Sequence, residues 1–483
     1  MLTYVVFVSP AAPEARYRCR IMGVVLTGGI VVTAVDSYLA DVRMEGEKIV
    51  AVGNGIARPE DQAISVEGCY LLPGAIDPHT HFDMPAGDIT TADDFASGTA
   101  AAVVGGTTTI IDHVTQQKGE SLLDALAKWH AKAEGKSFAD YGFHMGINDY
   151  HQQVPEEMGV LVEREGVSSF KLYTAYQHLR VNDGDILQAL QRCQQIDALA
   201  CFHCENGDVI DVLIKQAKEL GCTGPHCHPL TRPDITEREA TARVLMLAEL
   251  AEVPVYIVHL SCASALSEVM LAKAKGMEVY VETCPQYLLL DDSYYLAEDF
   301  NGAKYVMSPP LRKREDQRAL WRGLQTGAID TIGTDHCSFN FRGQKERGID
   351  DFSMIPGGAP GVEHRLGLLY TYGVQRGAIS MSQLVALSAT NPAKCFGLYP
   401  RKGTLAVGSD ADIVVWDPQQ SFEISAVTHQ QRVDYTPYEG WQQQGRAKHV
   451  FIRGQQVVAE GVLQPKPLGS YLYRKPFLPR KVG

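Results

Sequence analysis

The chain lacks any apolar run approaching the roughly 20 residues that a helix needs to cross a bilayer. It is also short of positive charge, with 44 lysines and arginines against 57 aspartates and glutamates. The first absence argues against a helical membrane span. The second, a formal charge of −13, argues against nucleic acid or an anionic membrane surface as the main partner. The eleven cysteines show no framework spacing between Cys19 and Cys395. They read as thiols buried as small apolar residues in a reducing compartment. No basic segment precedes the short apolar patch in the opening "MLTYVVFVSPAAPEARYRCRI", as a secretory signal would require. Met22 stands directly before the first strand-like run, so residues 1–21 are expected to be an extension outside the fold, and the protein cytoplasmic. Finally, no G-x-G-x-x-G follows the first strand, which counts against a doubly wound nucleotide-binding sheet.

What is present is enough apolar residue, 45% of 483, for a large core, with an ordinary 21% charged. Residues 22–73 read as short strands broken by "TGG" and "EGE", and the same texture returns in "KGTLAVGSDADIVVWDP" and "AKHVFIRGQQVVAEGVL". Neither end alone supplies a closed core, so residues 22–73 and 402–466 are expected to form one β-sandwich domain, followed by a tail at 467–483. Residues 74–401 instead alternate strand and helix. Eight strand candidates appear: "YLLPGAID", "TTTIIDHV", "DYGFHMGI", "SSFKLYTAY", "ALACFHCEN", "VPVYIVHLS", "MEVYVETCP" and "IDTIGTDH". Helical stretches such as "GDILQALQRCQQI" follow most of them. The expectation is a parallel (β/α)₈ TIM barrel, with functional residues at the carboxyl ends of its strands.

Those ends carry an unusual set. The first strand closes in "DPHTHF", whose His79 and His81 are two apart and point the same way in an extended chain. His203 ends the fifth strand, His259 the sixth, and Asp335 follows the eighth. Lys171 lies inside the apolar fourth. Burying an ammonium is costly unless it is paired, deprotonated or chemically altered. A neutral lysine amine can add carbon dioxide, and the carbamate is an anionic oxygen ligand able to bridge two cations about 3.5–4 Å apart. Nitrogen and oxygen donors of this kind suit zinc, with manganese or cobalt able to substitute. His113 and His144 also fall near strand ends but are assigned to packing. His226 and His228 beside Cys222 and Cys227 resemble a zinc knuckle without a second cysteine pair, so "GCTGPHCHPL" is read as a loop.

Taken in order, His79-Thr-His81, Lys171 in "SSFKLYTAY", His203 in "FHCENGD", His259 in "YIVHLS" and Asp335 in "TDHCSF" resemble the binuclear-zinc amidohydrolase superfamily, and more narrowly the dihydropyrimidinase/hydantoinase family. "GGTTTIIDH", "ETCPQYLLLD", "VMSPPLR" and "NPAKCFGLYPRKGTLAVGSDADIVVWDP" extend the likeness over nearly the whole chain from Met22. The resemblance implies two Zn²⁺ ions per subunit bridged by N6-carboxylated Lys171. His79, His81 and Asp335 would hold one ion with that lysine, and His203 and His259 the other. It further implies that a metal-bridging hydroxide opens a dihydropyrimidine or 5-substituted hydantoin ring to an N-carbamoyl amino acid. Asp335 would shuttle the proton, Tyr176 would meet the developing oxyanion, and Ser308 and Gly357 would hold the cyclic amide. A homotetramer is implied, with "SYLYRKPFLPRKVG" a candidate intersubunit contact.

Two positions depart from the family pattern. Gly357 stands where an asparagine is usual and His364 where Asp or Asn is usual, and both are expected near the substrate mouth. The loops "DMPAGDITTADDF" and "YQHLRVNDGD" are expected to set specificity, with His178 and Arg180 facing either a polar substituent or, more simply, solvent. The rival readings are an allantoinase or dihydroorotase, which typically carry "TDHAP" after the eighth strand, and a non-catalytic member of the family. The filled ligand positions count against the latter.

Overall fold

The computed structural model describes residues 22–477, so the expected extension at 1–21 lies outside the described residues. Its centre is built from eight strands: β1 (Ala75–Thr80), β2 (Thr107–Val114), β3 (Asp140–Gly146), β4 (Ser169–Tyr173), β5 (Leu199–His203), β6 (Val255–Ile257), β7 (Val279–Thr283) and β8 (Thr331–Ile332). Every residue in them except Tyr173 is buried. Burial on both faces is what a parallel sheet under a jacket of helices requires, and it explains the apolar runs of strands such as β5 and β6. Each strand pairs in parallel with the next. A parallel bridge between Thr80 and His336 brings the last strand back to the first, with His81 N donating to His336 O at 2.9 Å. The result is the expected (β/α)₈ barrel.

Local chemistry sets where the helices begin. Asp94 and Ser97 form a reciprocal cap on the helix Phe95–Val104, and Asn182 and Asn206 accept from the third residues of Asp183–Gln195 and Gly207–Glu219. Ile186, Ala189, Leu190 and Cys193 of Asp183–Gln195 face the barrel. The two ends of the chain supply a seven-stranded and a four-stranded sheet, mostly antiparallel. Leu26, Val42, Ile49, Leu71, Ile413, Val415 and Phe451 fill the space between them. Each such side chain contributes roughly 1.5–3 kcal/mol by leaving water.

The described part of the C-terminal tail, residues 467–477, packs on the floor of its own barrel. Leu472 N donates to Tyr141 O at 2.8 Å, Phe477 N to Asp197 O at 2.7 Å, and both side chains join a core with Leu199, Cys201 and Tyr256. The apolar residues of the tail thus complete an otherwise open end of the barrel. Cysteine chemistry needs correction against the all-thiol reading. Cys69, Cys193, Cys201, Cys204, Cys262, Cys284 and Cys337 are buried thiols, but Cys222 and Cys227 form a disulfide, because the Gly/Pro turn between them brings their Cα atoms to 6.0 Å. Both sulfurs are therefore spent, and the segment is a loop leading into the short helix Cys227–Thr231, not a zinc knuckle. Among the described residues no helix is long and apolar enough to cross a membrane.

Candidate metal centre at the barrel mouth

The carboxyl ends of the eight strands surround a cavity of about 220 Å³. All nine residues singled out in the sequence line it: His79, His81, Lys171, Tyr176, His203, His259, Ser308, Asp335 and Gly357. The pleat of β1 places His79 and His81 side by side with ring centroids 5.2 Å apart, and each Nε2 lies 3.2 Å from Asp335 Oδ1. Across the cavity His203 Nδ1 and His259 Nε2 are 2.9 Å apart. Three of these residues occupy the left-handed backbone region, with φ of 39° at His259, 51° at Asp335 and 67° at Tyr176. Conformations of this kind cost about 1–3 kcal/mol each and persist where the surroundings dictate them, which is common at functional sites.

The electrostatics favour neutral imidazoles. Burial, reinforced by neighbouring rings and Lys171, drives His79 and His259 well below the ordinary histidine range, and burial also lowers His203. Neutral imidazole is the metal-binding form. Lys171 is 1% exposed and forms no ion pair among the described residues; its Nζ lies 5.1 Å from the centroid of the Tyr173 ring. Burial brings it down to about 8 against the opposing pull of Asp335. His79 Nε2, His81 Nδ1 and His259 Nδ1 are buried without a hydrogen-bond partner. Such atoms are expensive to leave unmet. A ring of imidazole nitrogen donors, a carboxylate and a lysine without an ion-pair partner is a donor set that fits divalent metal.

The chain matches the model of the amidohydrolase family over residues 70–457. It is 47% identical over 451 residues to a D-hydantoinase of Geobacillus stearothermophilus, spanning 93% of this chain and 96% of that one. A D-hydantoinase of Streptomyces coelicolor is likewise 47% identical, over 90% and 94% of the two chains. The crystal structure of a dihydropyrimidinase from Brevibacillus agri superposes with a TM-score of 0.94 at 47% identity, covering 95% of this chain and all of that one. This chain belongs to the amidohydrolase family.

For an amidohydrolase, the residues around the cavity that sequence reasoning passed over are informative. Glu282, on β7, places Oε1 2.6 Å from His79 Nδ1 and accepts from the backbone N–H of His259, so one buried carboxylate orients the His79 ring and holds the main chain that carries His259. Its signal was available, since a glutamate inside "VYVETCP" is as out of place as Lys171 in its own strand. Glu205 orients the His203 ring at 2.9 Å and is held in turn by Arg232 at 2.6 Å. Asp77 accepts from Thr334 Oγ1 at 2.6 Å and so ties β1 to the segment that carries Asp335.

His113, assigned to packing, lies against His79 and His81 with centroids 4.4 and 4.8 Å away, and the ligand atoms of all three lie within 4.8 Å of one another. His144 is satisfied by Ser169 Oγ and Pro78 O, as a packed histidine should be. His178 lines the cavity, whereas Arg180 turns away to Asp208 at 2.8 Å. A Cβ at Gly357 would meet only Ser308 Oγ, at an ordinary contact distance of 3.6 Å. His364 is a correction. It is absent from the mouth and lines a separate cavity beside the β-sandwich, because Glu363 is drawn against Gly105 at the end of the first barrel helix.

Proposed function

We propose that this amidohydrolase opens the ring of a cyclic amide, a dihydropyrimidine or a 5-substituted hydantoin, to give an N-carbamoyl amino acid. The observation that carries the reading is the convergence of all six candidate ligands on one cavity in a chain 47% identical to D-hydantoinases. In this reading His79, His81 and Asp335 would hold one divalent cation, His203 and His259 would hold a second, and Lys171, once carboxylated, would supply oxygen ligands to the pair. Bound divalent cations supply a water of lowered pKa and polarise the carbonyl under attack. Zinc is the metal that this set of nitrogen and oxygen donors suits best.

The protein's own groups then have separate tasks. Glu282 and Glu205 fix the tautomer and aim of the rings they contact. Asp335, within reach of the first-strand histidines, takes a proton on attack and returns it to the ring nitrogen that leaves. The Tyr176 hydroxyl, kept protonated by burial, donates to the oxygen on which negative charge builds. Ser308 and Gly357 hold the cyclic amide through main-chain groups. A homotetrameric, cytoplasmic enzyme is the state in which we expect this chemistry.

The test is ring opening of dihydrouracil, a 5-aryl hydantoin and allantoin side by side, with and without chelator. Chelator-sensitive turnover of either of the first two is expected. Turnover of allantoin alone would move the enzyme to the allantoinase reading, and failure of all three with metal bound would reject cyclic amide hydrolysis. "TDHCSF" in place of "TDHAP" favours the first outcome.

A further inference from the structure

The separate cavity that His364 lines has a volume of about 290 Å³ and is bounded by barrel residues on one side and by the β-sandwich and its following loop on the other. Three potential metal ligands meet at its wall: Glu363 and His364 from the barrel and His429 from the loop after the strand Ile413–Glu423. Their ligand atoms all lie within 4.8 Å of one another. The imidazoles of His364 and His429 are 6.4 Å apart between centroids and nearly parallel, at 13°. Imidazole pairs at the mouth are set at 5.2 and 4.7 Å, so only a small closure separates the two arrangements.

A second observation is independent of this grouping. His364 is 3% exposed, and its Nε2 is buried with no hydrogen-bond partner. A buried polar atom left unmet is costly and calls for an explanation. Glu363 has no cationic partner at ion-pair distance among the described residues; its Oε2 accepts only from main chain, with Gln430 N at 2.7 Å. His429 donates from Nε2 to Val433 O at 3.0 Å, which leaves the Nδ1 lone pair, now receiving the Gln431 amide, for an incoming ion. The chemistry is two neutral imidazoles and a carboxylate, the donor set that holds zinc through bonds of about 2.0–2.2 Å. The cavity has room for a water to complete four-coordination.

We propose that Glu363, His364 and His429 form a second metal site, distinct from the catalytic centre, that binds a zinc-like divalent cation and braces the 425–433 loop against the barrel. It depends on His364 and does not depend on the reaction proposed above.

The experiment is metal counting on the full-length enzyme equilibrated with Zn²⁺, followed by dialysis and elemental analysis, for the unaltered chain and for His364→Asn and His429→Gln. Each variant is expected to hold one equivalent less per chain than the unaltered protein and to keep ring-opening activity within about twofold. The difference of one equivalent is read whatever the catalytic centre holds, so failure of the proposed function would not mimic failure here. Hydrogen exchange of residues 425–433 in the unaltered chain should slow on adding Zn²⁺, and not in either variant. Equal metal content in all three proteins, or an extra equivalent that neither substitution removes, would overturn the site.

Discussion

The mouth and the floor of the barrel each bury a lysine, and they treat it in opposite ways. At the floor Lys402 is 2% exposed, and its ammonium meets Asp140 at 2.6 Å, Asp410 at 3.1 Å and Asp412. Burial alone would lower its pKa, but the summed pull of Asp412, Asp140 and Asp410 outweighs burial and raises it. At the mouth Lys171 is as deeply buried and has no such partner, so burial wins and the group falls to about 8. One end of the barrel therefore compensates its charge and gains a brace between Asp140, the first residue of β3, and the segments that lead into the β-sandwich. The other leaves charge uncompensated, a departure from good structural practice that is expected where chemistry is done.

Substitution separates the two roles. Measured against the metal-free form of the unaltered chain, Lys171→Ala should change the thermal midpoint little, whereas it should abolish metal binding and lower kcat/KM on the order of 10³-fold or more. Small carboxylates should restore part of the activity. Full activity without rescue would mean that the uncompensated lysine is no ligand, and the contrast would collapse. Lys402→Met should do the reverse. Removing the cation strands buried carboxylates, a change that costs about 3–5 kcal/mol, read as a lower denaturation midpoint, while the folded fraction turns over normally. Pairing it with Asp412→Asn should recover part of the loss; no recovery would show that the floor cluster is not held by its charge balance.

The same contrast explains what could be read from the sequence. The strands were legible because they are buried on both faces and recur, rich in β-branched and aromatic residues, between helical stretches. The ligands were legible because polar residues at the ends of such strands have no packing reason to be there. Glu282 broke the same rule and was passed over, since a carboxylate that orients ligands leaves the same trace as one that binds metal. His364 was misplaced for a different reason. Chain distance from β8 put it near the mouth, but the close approach of Glu363 to Gly105 directs it to the sandwich, and long-range contacts of that kind have no local signal. The Cys222–Cys227 bond likewise depends on a turn geometry that spacing does not specify. The docking of the tail depends on an open barrel floor that only the assembled fold presents.

Two smaller substitutions sharpen the picture at the mouth. Tyr176→Phe should lower kcat roughly 10²-fold, the scale of losing one oxyanion donor, with KM little changed. An unaltered kcat would reduce the residue to packing against His203, whose ring centroid is 5.1 Å away. The last case is a third buried lysine, intermediate between the first two. Lys345 is 0% exposed and forms no carboxylate pair among the described residues, but its Nζ donates to Val306 O at 2.9 Å and Pro356 O at 3.0 Å. Those carbonyls belong to the two segments that carry Ser308 and Gly357, so the amine ties together the walls assigned to the cyclic amide. Lys345→Met preserves the length of the side chain and removes both donors. With the walls untied but the metal ligands untouched, KM should rise by a few-fold to about tenfold while metal content stays constant. A fall in bound metal instead would show that Lys345 supports the whole mouth, and an unchanged KM would leave it a packing group with two satisfied hydrogen bonds.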